Sequence, residues 1–394
     1  MDPRVQVIRS RIDNGPMTSM MFIVIGIGFL LNLVDGFDVV AMSVAGPSIT
    51  ADWGISDGEK GWILSSALIG MAIGAAFLAP YSDVIGRRKL ILFATALIGT
   101  SMIVTGFIPE SVGLMMAIRV VSGLGIGVIM AAGAAIASEF APDRYRNIAV
   151  TTVVMGYPFG AMVVGPIANW IIPVFGWEML FVFGGLATLM LGGIFYFILP
   201  ESLEYLATRK SQDDQSLDQE NSALVKLKRE PLESLPPAPA DIAQSGSVSA
   251  LMQNGFALPT WGIWAIYFLG FLTMYFLLSW IPSLFVDAGY TRSQGIFALT
   301  LFNAGAVIGI VSIGVISTGR KIAKPISIFF VVSAALLAFI SQIKPDSLTA
   351  LNAGILVIGL FFPESVSEGF SLSALLYRGK VAPSLEVRSG QPEK

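Results

Sequence analysis

The sequence contains neither cysteine nor histidine. Disulfides, thiol nucleophiles, Ser-His-Asp triads and nearly every zinc site are thereby excluded. Charge is scarce too: 13% of the 394 residues are Asp, Glu, Lys or Arg, against about 25% in globular domains. So few polar residues cannot cover the surface of a water-soluble chain this long. The net charge of −3 gives nucleic acid no electrostatic footing. What is abundant is apolar: 54% of the residues are hydrophobic and the mean hydropathy is +0.74. The 41 glycines sit inside apolar runs rather than in polar linkers, as is common in membrane helices. Disordered and collagen-like classes do not fit this composition. The chain reads as an all-α, polytopic membrane helical bundle.

A bilayer core takes about 20 apolar residues as a helix. On that criterion ten transmembrane helices are predicted, at 20–48, 61–81, 90–108, 112–139, 147–170, 178–199, 260–284, 294–317, 325–341 and 348–376. The first apolar run is too long for a signal-peptide core and lacks a small-residue cleavage site. With the N-terminus on the cytoplasmic side, every Lys and Arg falls inside except Lys60, Arg292 and Lys344, which fall outside, and Arg119, which falls within a span. The positive-inside rule therefore places both termini in the cytoplasm. Residues 201–258, rich in Ser, Gln, Glu and Pro, read as a largely disordered cytoplasmic linker. It separates a six-helix N-terminal half (1–200) from a four-helix half (259–394). Six spans, a long inside loop and further spans are the layout of a transporter built from repeated halves.

A few polar residues interrupt the apolar runs. Asp35 and Asp38 lie in the first span, where each carboxylate costs about 2.5–3.5 kcal/mol on an insertion scale. At spacing i, i+3 they share a helix face. Like charges that close resist joint ionisation, which suits uptake and release of a proton. With no histidine present, carboxylates are the natural titrating groups. Gly36 between them allows close approach or local unwinding. The competing reading starts the span later and leaves the pair among outer headgroups.

Arg119 opens Arg119-Val-Val-Ser-Gly123-Leu-Gly125-Ile-Gly127. It is suited to hold a substrate carboxylate, to pair with Asp35 or Asp38, or to snorkel to the outer interface. Gly125 and Gly127 are candidates for a bend. Gly156-Tyr157-Pro158-Phe-Gly160 and Gly165-Pro166 interrupt the fifth span, where such residues mark bends and close crossings. Tyr157 is a candidate substrate contact there. In the seventh span Trp264, Tyr267, Phe268, Phe271 and Tyr275 recur at spacings of three and four. Trp264, Tyr267 and Phe271 are candidates for stacking on a flat cargo; lipid-facing bulk is the plainer reading. Glu364 and Glu368 share a face of the tenth span. No metal-ligand constellation is present, and no cofactor is expected.

The loop Ala79-Pro-Tyr-Ser-Asp83-Val-Ile-Gly86-Arg87-Arg88-Lys89 resembles the Gly-x-x-x-Asp-x-x-Gly-Arg-Arg loop of the major facilitator superfamily. The fourth span, Pro142-Asp-Arg144-Tyr-Arg146, Gly165-Pro166 and Leu199-Pro200-Glu201-Ser202 resemble the same superfamily in the same order. Asp35-Gly-Phe-Asp38 with Ala45-Gly-Pro47, and Leu278-Ser-Trp280-Ile-Pro282 with Asp287-Ala-Gly289-Tyr290, resemble its aromatic acid:proton symporters, the 4-hydroxybenzoate transporter-like group. The likeness is close over residues 15–310. It departs at Ala79 and Val84, where the pattern has glycine and a basic residue. In the second half Gly319-Arg320-Lys321 is present, but Ser317 and Thr318 stand before it where an acidic residue is expected. The family has twelve spans, and the sequence reaches only Val387-Arg388-Ser389-Gly390, which resembles the loop after the tenth.

The resemblance implies a major-facilitator fold and import of a small aromatic carboxylate with protons across a bacterial inner membrane. It implies transport roles for Asp35, Asp38, Asp83 and Arg119. Asp35 and Asp38 would take the protons and Arg119 the substrate carboxylate. Asp83, Gly86, Arg87 and Arg88 would gate the conformational change through salt links. A monomer is expected. A non-aromatic organic acid is the alternative cargo, and a transport-inactive, truncated sensor is the alternative class. An enzyme has no catalytic constellation to support it.

Overall fold

Long apolar runs become long helices, and short polar caps set their ends. The computed structural model describes residues 3–208, 214–232, 257–316, 323–340 and 347–363. The candidates Glu364 and Glu368, the Gly319-Arg320-Lys321 segment and the region around Val387 lie outside the described residues. The helices are α1 (Pro3–Asp13), α2 (Ser19–Trp53), α3 (Asp57–Ile73), α4 (Ser82–Ile85), α5 (Arg87–Thr105), α6 (Val112–Phe140), α7 (Arg146–Phe175) and α8 (Glu178–Ile198). They continue with α9 (Leu203–Thr208), α10 (Asp214–Lys226), α11 (Ala257–Asp287), α12 (Arg292–Ile316) and α13 (Ala323–Ile340), then α14 (Leu348–Pro363).

Among the described residues, eight helical segments are long and apolar enough to cross a membrane, starting at Ser19, Asp57, Arg87, Val112, Asp143, Glu178, Thr260 and Arg292. α13 and α14 are shorter apolar helices where the ninth and tenth spans are expected, and the expected tenth runs past the described residues. Within the stretch read as linker, α9 and α10 are helical.

The caps explain the boundaries. Thr18 Oγ1 accepts from Met21 N at 3.4 Å to start α2. Gly54, at φ +61°, ends it by donating to the Thr50 carbonyl at 3.1 Å. The positive φ is cheap only without a Cβ. Ser56 and Glu59 form a reciprocal capping box at the start of α3. The C-terminal end of α3 changes to a π turn at Gly74–Leu78 and a 3₁₀ turn at Ala79–Tyr81, where Pro80 removes a backbone donor.

The chain divides into two compact units, one of residues 1–242 and 279–300, the other of 243–278 and 301–394. In the first unit α2 packs along α7 and α3 along α6. Glycines permit these seams. The Gly36 α-carbon faces the Tyr157 carbonyl and Gly160 faces that of Leu33, so a Cβ at either would collide with backbone. Gly70 and Gly123 do the same for α3 and α6. α6 and α7 run unbroken through Gly125, Gly127, Gly156 and Gly165. The glycines serve close packing there: Gly127, for one, faces the Met71 carbonyl.

At one end of this unit Arg9 of α1 donates to the carbonyls of Ser138 (2.9 Å), Glu139 (2.7 Å) and Ala141 (3.3 Å) at the end of α6. Val5, Ile8 and Ile12, spaced three and four apart, bury the other face of α1. In the second unit Gly305 and Gly359 make the same kind of seam between α12 and α14, and Phe329 meets Phe361 edge-on at 4.8 Å.

Candidate functional site

α2 carries Asp35 and Asp38, and α6 carries Arg119 and Ser122; none is more than 1% exposed. The i, i+3 spacing on each helix puts both members of a pair on one face, and these two faces meet. Arg119 Nη1 donates to Asp38 Oδ1 at 2.6 Å, and Nη2 to the Asp38 carbonyl at 3.3 Å. Ser122 Oγ donates to Asp38 Oδ2 at 2.6 Å. Arg119 therefore neither snorkels nor stands alone: it is the buried counter-ion of Asp38. Among the described residues neither oxygen of Asp35 has a hydrogen-bond partner, and the same holds for Arg119 Nε. Both acids lie about midway along α2, inside the bundle. Removing one member of such an ion pair strands the other, at a cost of about 3–5 kcal/mol.

A second cluster surrounds the α4–α5 loop. Gly86, at φ +100°, turns the chain against the side chains of Glu201 and Tyr205. Asp83 is 74% exposed and lies 3.8 Å from Arg87. The firmer partner of Arg87 is Glu139 at the end of α6, whose side chain is 1% exposed, with Glu204 at 3.6 Å. Ser202 Oγ donates to the other Glu139 oxygen. Arg88 turns elsewhere: its backbone N–H donates to Glu201 at 2.9 Å, and its guanidinium reaches the Tyr196 carbonyl and lies over the Tyr196 ring.

Sequence reasoning placed Asp83, Gly86 and Arg87 together but missed Glu139 and Glu204. Glu139 was findable in principle: it is an acid still within reach of an apolar run, inside the helix that carries Arg119. Asp83 and Arg87 also border a cavity of about 260 Å³ with Ala75, Ser82, Ala131 and Ala135.

The aromatic candidates separate. Tyr267, Phe271 and Tyr275 stack in a ladder along α11, with centroids 6.2 Å apart at each step and planes within 21°. Tyr275 belongs with the two nominated residues. Trp264 is 41% exposed and sits edge-on to Trp261 at 5.3 Å, outside the ladder. Tyr157 is half-buried on α7, with its carbonyl against Gly36. Tyr157 is in the unit that holds the acid pair; Trp264, Tyr267 and Phe271 are in the other.

The acid–arginine pair is thus buried between two long apolar helices, and Arg87, Arg88 and Lys89 open α5 just after Gly86. The sequence profile of the Major Facilitator Superfamily matches residues 28–377. The chain belongs to that superfamily. It is thus a multi-pass membrane transporter and not an enzyme. Among major-facilitator members it is 30% identical to the 4-hydroxybenzoate transporter PcaK of Pseudomonas aeruginosa, over 94% of this chain and 82% of that one. It is 27% identical to the gallate transporter of Pseudomonas putida, over 93% and 78% respectively. Its fold is that of the xylose transporter XylE of E. coli in a partially occluded inward open conformation. The TM-score is 0.65 and the identity 19%, covering 91% of this chain and 88% of that one.

Proposed function

We propose that this major-facilitator protein imports small aromatic carboxylates of the 4-hydroxybenzoate or benzoate type by proton symport with alternating access. The observation that carries the reading is the buried cluster of Asp35, Asp38 and Arg119. Arg119 offsets one carboxylate. With both acids ionised the cluster keeps one negative charge, and an anionic substrate is repelled. One proton removes that repulsion, so proton and carboxylate each favour binding of the other. Arg119 Nε is the donor left over for a substrate carboxylate. Tyr157, Trp264, Tyr267 and Phe271 offer aromatic faces for the ring.

Asp83, Gly86, Arg87 and Arg88 serve as the gate: ion pairs made in one conformation and broken in the other bias the equilibrium. The halves 1–200 and 259–394 rock about the linker 201–258. The membrane is the bacterial inner membrane, with both termini cytoplasmic, as the distribution of Lys and Arg supports. The working form is a monomer. The names of the relatives, transporters of 4-hydroxybenzoate and gallate, support the aromatic choice.

The test is uptake of labelled 4-hydroxybenzoate by proteoliposomes holding the full chain, with unlabelled competitors. Benzoate and gallate are expected to compete, and an aliphatic dicarboxylate of similar size is not. The reverse order would assign a non-aromatic acid as the cargo.

A further inference from the structure

Asp35 and Asp38 sit one helical turn apart, yet their surroundings differ. Asp38 receives two donors on its carboxylate and a third on its carbonyl. Asp35 is fully buried, and neither of its oxygens meets a donor among the described residues. Adding a proton to Asp38 would break the ion pair, leave the buried Arg119 charge uncompensated and weaken the hold of Ser122. Adding a proton to Asp35 breaks nothing and removes a buried, unpaired charge.

The helices packed most closely against α2 are α3, α5, α6, α7 and α8, and α11 and α12 also reach it, through the Ser43–Ser279 and Arg292–Ser48 hydrogen bonds. Their charged residues are Asp57, Glu59 and Lys60 on α3, Arg87, Arg88 and Lys89 on α5, Arg119 and Glu139 on α6, Arg146 on α7, Glu178 on α8, Asp287 on α11 and Arg292 on α12. Of these only Arg119 is joined to the acid pair by an ion pair. Glu139 is already joined to Arg87.

We propose that Ser122, together with Arg119, fixes Asp38 as a standing counter-ion, so that the transported proton moves on and off Asp35 alone. Ser122 is a positioning residue: it acts through Asp38. The two carboxylates are then not interchangeable halves of a dyad. Asp38 preserves the joint between α2 and α6, and Asp35 carries the coupling. The transport arm of the test rests on the symport reading, and the spectroscopic arm does not.

The experiment is infrared difference spectroscopy of the full chain in liposomes as pH is cycled, reading the carbonyl band of protonated carboxyl groups. Asp35→Asn is expected to abolish the band assigned to a buried span carboxyl. Ser122→Ala is expected to add a second band as Asp38 begins to share the proton, and Ser122→Thr to restore the single band. If Asp35→Asn does not assemble, Asp35→Glu reads the same assignment by moving the band. Survival of the band without change in the Asp35 variant, or one unaltered band in Ser122→Ala, overturns the proposal. In the transport arm, Asp35→Asn is expected to lose pH-driven accumulation of 4-hydroxybenzoate. Accumulation still driven by pH in that variant also overturns the proposal. No uptake or counterflow by the wild type, with the band results as expected, would sink the symport reading and leave this one standing.

Discussion

Arg119 holds a full charge at 1% exposure, and it is stable there because Asp38 is 2.6 Å away. Arg119→Gln should therefore destabilise the protein by about 3–5 kcal/mol by stranding Asp38, read as a fall in thermal unfolding temperature in detergent. The double variant Arg119→Gln/Asp38→Asn, which removes both charges, should recover most of that loss without recovering uptake. Destabilisation that simply adds between the two sites would mean the pair is not energetically joined. A similar contrast applies at the α4–α5 loop. Arg87→Gln abandons the buried Glu139 and should cost several-fold more in stability and uptake than Asp83→Asn. Asp83 is 74% exposed, and exposed ion pairs contribute only about 0–1 kcal/mol. Equal effects would mean that the exposed Asp83 pair contributes as much as the buried Arg87–Glu139 pair. The sequence could nominate Asp35, Asp38 and Arg119 because charge in an apolar run is costly wherever it points. It could not say which acid the arginine chooses, because one turn of helix separates them and the choice depends on how α6 is rotated against α2.

Among the helices, α2 and α7 touch backbone to backbone, and the geometry is intolerant of side chains at three places, Gly36, Gly156 and Gly160. Gly160→Val should push the new branch into the Leu33 carbonyl and destabilise by about 1–3 kcal/mol or more. Gly26→Ala, on the partner helix α2 but with open space around it, should be neutral or slightly stabilising through helix propensity. Thermal unfolding of the two variants side by side checks the seam, and equal shifts would contradict it. The helices themselves were legible as apolar runs, and so were the small residues that join them. Read alone, Gly156, Pro158 and Gly165 suggested bends or close crossings; α7 continues as one helix through them, and Gly156 is used for contact with the Phe29 carbonyl. α1, α9 and α10 were hidden for the opposite reason. They are short and polar, and hydropathy is blind to helices that lie outside the apolar runs. Arg9 illustrates the consequence: its role at the carbonyls of Ser138, Glu139 and Ala141 could not be read from a charge count.

For the molecule as a whole, composition alone restricted the chain to a membrane bundle, the family profile makes it a transporter, and the placement of a few charges supports the proposed proton-binding role. The ladder of Tyr267, Phe271 and Tyr275 was only partly legible, since periodicity marks a face but does not say whether lipid, helix or cargo meets it. The central claim is that proton and aromatic acid move together. The most direct measurement is simultaneous recording of external pH and labelled 4-hydroxybenzoate in proteoliposomes of the full chain, with no imposed gradient other than the substrate's own. Substrate entry is expected to alkalinise the outside medium, and an uncoupler should abolish accumulation driven by an inward proton gradient. Entry of 4-hydroxybenzoate with no proton movement, and accumulation indifferent to the uncoupler, would contradict it.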